Sequence, residues 1–178
     1  MKILAIDTSN HPMSVALVED EQLLATTTLN MVRNHSIYLM PAISKLFELV
    51  QWQPTDIDRV VVAQGPGSYT GVRIAVTTAK VLADTEKIDL VGVSSLAVLA
   101  RNVVPTSSAI IVPFFDARRG NVFAGAYQWE NGELITKIED MVNEKIKAGY
   151  ETKIEYLPIK EAIKKGAMAL FSDKYGDI

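Results

Sequence analysis

A glycine-rich turn is the part of the sequence whose residue types most clearly suggest binding chemistry. The segment GPGSYTGVR carries three glycines within residues 65–73 and leads directly into the apolar, alanine-rich segment IAVTTAKVLA. Backbone N–H groups at the start of a helix can bind phosphate oxygens, so this turn is a candidate phosphate cradle. Glycines also let a helix lie close to a neighbouring backbone, because they have no side chain.

The packing alternative is favoured by what surrounds these glycines. The Lys-Ser/Thr ending of a P-loop is missing, so the turn does not match that phosphate-binding motif. We therefore expect close packing or contact with a partner ahead of phosphate binding, and both alternatives stay open. The small residues that would permit such an approach are Ala75, Thr78, Ala79 and Ala83.

Few other groups in the sequence could catalyse a reaction. There is no cysteine, which excludes a thiolate nucleophile and a disulfide framework. The two histidines, His11 and His35, lie far apart in the chain, and a zinc site would have to use mostly carboxylates. No Ser–His–Asp constellation is evident. The sequence therefore predicts no catalytic residue and no metal site.

The composition indicates a globular protein that does not hold nucleic acid unaided. Of its 178 residues 48% are hydrophobic, and the net charge of −3 argues against a broad basic face. A local patch is left open, because Arg118 and Arg119 could contact RNA phosphates or could simply form a charged hairpin turn. No apolar run approaches the roughly 20 residues needed to cross a membrane, so the expected location is the cytoplasm.

Hydrophobic periodicity predicts an α/β arrangement for most of the chain. Three apolar runs before residue 31 indicate an antiparallel meander of strands. A helix over about 36–52 follows, and strands then alternate with helices, as in parallel strands joined by crossover helices. The first of these later helices spans about 68–84. After residue 108 strands return, with a hairpin turn at Asn131-Gly132.

The character of the sequence changes near residue 137. The segment TKIEDMVNEKIKAG is charged and places Ile138, Val142 and Ile146 at helical spacing, which predicts a helix. We therefore divide the chain into two domains, residues 1–137 and residues 138–178. The second is predicted to be a short α/β segment.

The order of elements in the first domain resembles the ribonuclease-H-like half-unit found in actin-like ATPases, sugar kinases and heat-shock chaperones. This resemblance implies a mixed sheet, and it implies that the first hairpin meets phosphates through hydroxyls, backbone amides and a metal-holding carboxylate. For Asp7, capping of the following turn is favoured over metal binding. The nucleotide-binding residues implied are Asp7, Thr8, Ser9, Gly65, Gly67 and Gly71.

Longer stretches of residues 1 to about 140 resemble one bacterial family, the tRNA threonylcarbamoyladenosine biosynthesis proteins TsaB, also called YeaZ. The resemblance implies a catalytically quiet relative of the transferase subunit TsaD. Such relatives are scaffolds that pair with TsaD and with the ATPase TsaE to modify the adenosine beside the tRNA anticodon, so tRNA is met only through the complex. The matching stretches are ILAIDTSNHPMSVAL, RNHSIYLMPAI, GPGSYTGVRIAVTTAKVLA, VGVSSLAVLA and VPFFDARRGNVFAGAY.

The same resemblance implies a docking surface on the two long helices, for the partner subunit or for a second copy in a homodimer. The transferase subunit holds a metal with a His-x-x-x-His pair, whereas residues 94–97 here are Ser-Ser-Leu-Ala, which cannot replace two imidazoles. No cofactor is expected, and weak ATP or ADP binding at a partner interface is left open. The expected interface residues are Ile37, Met40, Ser44, Phe47, Tyr69, Val72, Ala75, Val76 and Ala79.

Residues from about 138 to 178 resemble a different family, the editing domain of alanyl-tRNA synthetase, through VNEKI and GAMALFSDKYGD. That domain hydrolyses mischarged tRNA with a metal held by His-x-x-x-His and Cys-x-x-x-His motifs, and neither motif occurs here. Editing activity is therefore not predicted. The junction of two families suggests an engineered or recombined chimera, and a divergent tail is the alternative.

Three functions are compatible with these observations. The first is a non-catalytic scaffold subunit of a tRNA threonylcarbamoyltransferase complex, truncated or engineered in its C-terminal part. The second is a nucleotide-binding ATPase or kinase-like enzyme that uses Asp7 and the glycine-rich turn. The third is an engineered chimera without a native function.

Overall fold

A computed structural model describes residues 1–30, 34–103, 109–118 and 121–142 of the chain. The chain folds as two compact units, Met1–Ser95 and Leu96–Ile178. The first unit is described except for residues 31–33. The second unit is described over residues 96–103, 109–118 and 121–142. The strands and helices of the described residues confirm the α/β class predicted from the sequence.

The first unit is built on a mixed five-stranded sheet. Its strands are β1 (Lys2–Asp7), β2 (Pro12–Glu19), β3 (Gln22–Asn30), β4 (Arg59–Ala63) and β5 (Asp89–Val93). Their order in the sheet is β3-β2-β1-β4-β5. The strands β1, β2 and β3 form the predicted antiparallel meander, whereas β1, β4 and β5 run parallel to one another. This combination is the mixed sheet expected from the sequence.

Two long helices connect these strands. α1 (His35–Val50) joins β3 to β4, with a short 3₁₀ turn at Pro54–Asp56 after it, and α2 (Tyr69–Glu86) joins β4 to β5. Ser68 caps α2, where its side chain accepts a hydrogen bond from the N–H of Gly71. Both helices confirm the predicted ranges, apart from small shifts at their ends.

Both helices pack on the same face of the sheet. α1 lies against β2 and β3, whereas α2 lies against β1, β4 and β5. Every second residue of a strand points to this face, so the strands present rows of apolar side chains to the helices. Each buried Å² of apolar surface stabilises the fold by about 25 cal/mol. The core includes Leu4, Ile6, Met13, Val15, Leu17, Leu39, Ile43, Leu46, Val60, Val62, Ala75 and Ala79.

The second unit contains a short helix and a small antiparallel sheet. The helix α3 (Ser95–Ala100) begins at the last residue of the first unit. The strands are β6 (Ile110–Ile111), β7 (Phe114–Arg118), β8 (Asn121–Glu130) and β9 (Glu133–Val142). β8 pairs with each of the other three strands. The buried residues of this unit's apolar cluster are Leu96, Ala100 and Tyr127.

The hairpin of β8 and β9 confirms one prediction and corrects another. Asn131 and Gly132 form its two-residue turn with φ values of 51° and 84°, the left-handed region that such a turn requires. The predicted helix that begins at Thr136 is wrong over the described residues, because β9 continues to Val142. Two register shifts interrupt the β8–β9 ladder, so strict strand alternation is not expected along β9.

The predicted domain boundary between residues 137 and 138 falls within β9. Residues 143–178, which make up most of the predicted second domain, lie outside the described residues. The division into domains therefore stays a prediction. Among the described residues, no helix combines the length and the apolar composition that crossing a membrane requires.

Candidate partner-docking site

The glycine-rich turn packs directly against the first hairpin of the sheet. A Cβ atom on Gly71 would lie 2.1 Å from the carbonyl oxygen of Thr8, and one on Gly67 would lie 2.2 Å from that of Ser9. Both distances are far below van der Waals contact, so glycine is the residue that fits at each position. The N–H of Ser68 donates a hydrogen bond of 2.7 Å to the Ser9 carbonyl, which ties the turn to the hairpin.

Two side chains of the predicted nucleotide site, those of Asp7 and Thr8, form hydrogen bonds within the chain. The hydroxyl of Thr8 donates to the carbonyl of Gly71 at 2.6 Å, and the side chains of Thr8 and Ser9 are buried. Asp7 accepts a hydrogen bond of 2.8 Å from the N–H of Ser9, which confirms that its carboxylate caps the turn. Gly65, with a φ of 105°, begins the glycine-rich turn. These contacts are those of the packing alternative, and nucleotide binding here stays a prediction.

An open groove lies between α1 and α2 on the surface of the first unit. Its volume is about 400 Å³. Its lining is apolar or hydroxyl-bearing except for one charged side chain, Arg73. We refer to it as the α1/α2 groove. Its lining residues are Ser36, Leu39, Met40, Tyr69, Thr70, Arg73, Ile74, Thr77 and Thr78.

Most of the residues predicted for the docking surface keep contact with solvent. Met40 and Tyr69 line the α1/α2 groove and are 46% and 75% exposed, which is high for side chains of this size. Ile37, on the same helix as Met40, is 61% exposed. The other predicted residues at the surface are Ser44, which is exposed, and Val72 and Val76, which are half-buried.

The prediction is wrong for three interface residues. Ala75 and Ala79 are completely buried, and Phe47 is 7% exposed. All three belong to the core of the first unit, where the two alanines let α2 approach the sheet and Phe47 fills the space on the α1 side. The small residues of α2 were expected to pack against a partner helix, but Ala75 and Ala79 pack against the sheet of their own unit instead.

The residue that carries the charge of the groove was not among the predicted site residues. Arg73 lies one helical turn after Tyr69, and its guanidinium donates a hydrogen bond of 2.9 Å to the Tyr69 hydroxyl. The guanidinium carbon lies 5.2 Å from the centre of the Tyr69 ring, within range of a cation–π contact. The spacing of the two residues on a predicted helix was the available signal, because residues four apart share one side.

Two lysines on or directly after the helices pair with carboxylates. Lys45 donates to Glu48 at 2.7 Å, and this hydrogen bond lowers the pKa of the Glu48 carboxyl below its ordinary value. Lys87, directly after α2, pairs with Asp84 at 3.0 Å. Arg73 has no carboxylate at ion-pair distance among the described residues. Among all the residues that the structure describes, no three His, Cys, Asp or Glu side chains are grouped to hold a metal.

Of the two predicted RNA-contacting arginines, the structure describes Arg118. Arg118 is the last residue of β7, and Arg119 lies outside the described residues. The backbone therefore places Arg118 at the end of a strand, as both alternatives require. Contact with RNA by Arg118 and Arg119 stays a prediction.

The fold of the first unit defines the class of the protein. A three-stranded meander, extended by parallel strands with crossover helices on the sheet, is a ribonuclease-H-like α/β unit of the actin-like type. Residues 22–175 match the model of the family described as TsaD: tRNA N6-adenosine threonylcarbamoyltransferase. The chain belongs to this family of tRNA threonylcarbamoyladenosine biosynthesis proteins, and its relatives there are of the TsaB, or YeaZ, type.

Two relatives document this placement. The tRNA threonylcarbamoyladenosine biosynthesis protein TsaB of Bacillus subtilis is 46% identical over 140 residues, which cover 79% of this chain and 61% of that protein. The solved structure of YeaZ from Pseudomonas aeruginosa matches with a TM-score of 0.73 at 31% identity, over 79% of this chain and 66% of that one. The chain thus spans about three-fifths of the length of the curated relatives it matches.

A second similarity concerns a short segment. The alanine–tRNA ligase of Psychrobacter arcticus is 60% identical over 43 residues, which are 24% of this chain and 5% of that enzyme. The two resemblances found in the sequence are therefore both confirmed, and the presence of two families in one chain is consistent with a chimera.

Proposed function

We propose that this chain is a non-catalytic scaffold subunit that pairs, through the α1/α2 groove, with a TsaD-type transferase subunit. In that complex the threonylcarbamoyl group is placed on the adenosine next to the tRNA anticodon. The observation that carries the proposal is the open apolar groove on a member of this family. The proposed task is to hold the transferase subunit in place, with the reaction carried out by that subunit.

The exposure of large apolar residues on α1 and α2 supports docking. Ile37, Tyr38, Met40 and Tyr69 are each more than 40% exposed, and they lie on the two helices that form the groove. Apolar side chains gathered in this way are typical of a surface that another protein covers. Covering them gains about 25 cal/mol per Å² of apolar area. We expect helices of the partner to fill the groove.

The role of the glycine-rich turn supports the scaffold over an independent ATPase or kinase. The hydroxyl of Thr8 and the backbone of Ser68 are bonded to neighbouring parts of the same chain. A phosphate would have to displace these buried bonds, each of which is costly to leave unmade. The nucleotide binding that we still propose for this chain is therefore weak binding of ATP or ADP at the partner interface.

The remaining components of the complex are taken from the family resemblance. A TsaE-type ATPase is the proposed third protein. In the absence of partners, a homodimer through α1 and α2 is proposed. We propose that tRNA contacts this chain only in the assembled complex, with Arg118 and Arg119 as the candidate contacts. The proposed location of the complex is the cytoplasm.

A second candidate function rests on the segment shared with alanine–tRNA ligase. In this alternative the chain is a chimera in which a TsaB-type part is joined to a foreign segment, and it has no native task. The packing of the first unit is compatible with either origin, because its core is formed by residues of that unit. The two candidates differ in whether the α1/α2 groove still binds a transferase subunit.

Calorimetric titration of the 178-residue chain into a TsaD-type subunit, taken from Bacillus subtilis, tests the proposal. Wild-type chain is expected to bind, and Met40→Glu is expected to weaken binding by about a hundredfold, because it replaces an apolar side chain of the groove with a charged one. Met40 is 46% exposed, so the variant is expected to fold normally. Circular dichroism checks this.

Leu23→Glu is the matched control. Leu23 is 57% exposed on β3, outside the groove lining, and the substitution introduces the same charge. Binding equal to wild type is expected for Leu23→Glu. Equal binding by both variants would show that the partner docks elsewhere. A wild-type chain that folds but does not bind would overturn the scaffold function and leave the chimera.

A further inference from the structure

The α1/α2 groove carries a single charge among its lining residues, the guanidinium of Arg73. Around it lie apolar side chains and hydroxyls, among them Leu39, Ile74 and Thr77. A partner that fills this groove must bring a group that satisfies Arg73, since a charge covered without a counter-charge is costly. The sign of the charge therefore restricts the chemistry of the partner.

In the free chain the Arg73 guanidinium contacts the Tyr69 side chain. It donates to the Tyr69 hydroxyl at 2.9 Å and lies over the Tyr69 ring, with its carbon 5.2 Å from the ring centre. A guanidinium has five N–H donors, so donors remain for a bidentate contact with an incoming carboxylate. Arg and Tyr are also the residue types that dominate the binding energy of interfaces. The pair thus has the geometry of a preorganised anchor.

The carboxylates of the two helices are placed away from Arg73. α1 contains one, Glu48, and α2 contains Asp84 and Glu86, and all three lie in the last turn of their helix. Glu48 and Asp84 are already paired with lysines. None of these carboxylates lines the groove. The helices that form the groove therefore supply Arg73 with no counter-charge in it.

We propose that Arg73 is the specificity-determining residue of the α1/α2 groove and that it binds a carboxylate on an apolar helix of the transferase subunit. This inference rests on the proposed scaffold function and names the chemistry of its partner. A protein carboxylate is favoured over a nucleic-acid phosphate, because the groove is apolar and has one cation, whereas nucleic-acid binding uses several. The contact distinguishes the transferase subunit from other apolar surfaces.

The same charge disfavours pairing with a second copy of this chain. A two-fold symmetric dimer places the same patch on both sides of the interface. The groove of the second copy offers Arg73 another Arg73 and no carboxylate from its lining. Unmatched like charges suppress the wrong partner at an interface. The homodimer is therefore the weaker complex of the two.

Charge reversal tests this assignment. Arg73→Glu is expected to weaken binding to the transferase subunit by about a hundredfold, the scale of losing one partner of a covered ion pair. Arg73→Lys keeps the charge but loses the bidentate fork, and about a tenfold loss is expected. The control is Lys80→Glu, an equal charge change on the same helix at an exposed residue outside the groove lining. Its binding is expected to stay within about threefold of wild type.

Two further measurements separate this inference from the function on which it rests. Sedimentation is expected to show that the neutral variant Arg73→Gln self-associates at least as strongly as wild type, because two copies no longer bring two guanidiniums together. Single Asp→Lys and Glu→Lys variants of the transferase subunit's docking helices are expected to include one that restores binding of Arg73→Glu. If wild type binds and the affinities of Arg73→Glu and Lys80→Glu are equal, the role of Arg73 is overturned but the scaffold function is not. Absence of wild-type binding overturns the scaffold function as well.

Discussion

The two sides of α2 have opposite compositions and opposite roles. The side that faces the sheet carries a small residue at every fourth position and is buried: Gly71, Ala75, Ala79 and Ala83. The side that faces the groove carries Tyr69, Arg73 and Thr77, whose side chains are exposed. The glycine motif therefore packs against the first hairpin, whereas the larger residues between the small ones line the groove that we propose as the docking surface.

The largest expected effect is that of a charge on the buried side of α2. Ala75→Glu is expected to lower the free energy of unfolding by about 4 kcal/mol or more, because the side chain enters an apolar core with no partner for its carboxylate. Thr77→Glu, two residues later on the exposed side, is expected to change it by less than about 0.5 kcal/mol. Urea unfolding followed by circular dichroism measures both. Similar midpoints for the two variants would contradict the division of α2 into a core side and a groove side.

A smaller loss is expected where α2 begins. Gly71→Ala is expected to cost about 3 kcal/mol, because the new Cβ would lie 2.1 Å from the Thr8 carbonyl and the backbone must move. Thr70→Ala makes a neighbouring change at an exposed residue, and less than about 1 kcal/mol is expected from the difference in helix propensity. Thermal unfolding of the two variants gives the comparison. A neutral Gly71→Ala would mean that the turn does not pack tightly against the hairpin.

The smallest of these effects concerns one hydrogen bond at the same contact. Thr8→Val keeps the shape of the side chain but removes the donor to the Gly71 carbonyl, and about 1 kcal/mol is expected for the loss of this buried hydrogen bond. Thr26→Val removes a similar bond to the carbonyl of Val15, and Thr26 is exposed, so water can replace the lost donor. Less than about 0.5 kcal/mol is expected there. Equal losses would show that burial of the Thr8 bond adds nothing.

The sequence was sufficient to predict most of the first unit. Strand alternation and helical spacing predicted the meander, both long helices and the parallel strands, since each of these elements has a regular apolar period. The turn at Asn131-Gly132 was equally predictable, because its two positive φ values suit these residue types. The capping role of Asp7 could be predicted from its place before a short polar turn.

The sequence did not determine which neighbour each apolar or small-residue side of an element packs against. Ala75 and Ala79 show that a helix side which permits close approach suits a sheet as well as a second helix, and the choice depends on tertiary packing. The segment after Thr136 has apolar spacing that suits a helix, but pairing with β8 through a bulged ladder makes it a strand. Arg73 lies at the groove because the opposite side of α2, with Ala75 and Ala79, packs on the sheet, and the sequence did not predict that choice either.

The anchoring of α2 at its first turn has a consequence for the speed of complex formation. Because Thr8 and Ser9 hold the start of the helix, and its alanines hold the rest against the sheet, one wall of the groove is already rigid in the free chain. Binding of the proposed partner is then expected to need no folding of α2, and the conformational entropy lost on association is expected to come mainly from exposed side chains such as Met40. We therefore expect the association rate to be limited by diffusion and orientation, and the lifetime of the proposed complex to depend on the contacts inside the groove.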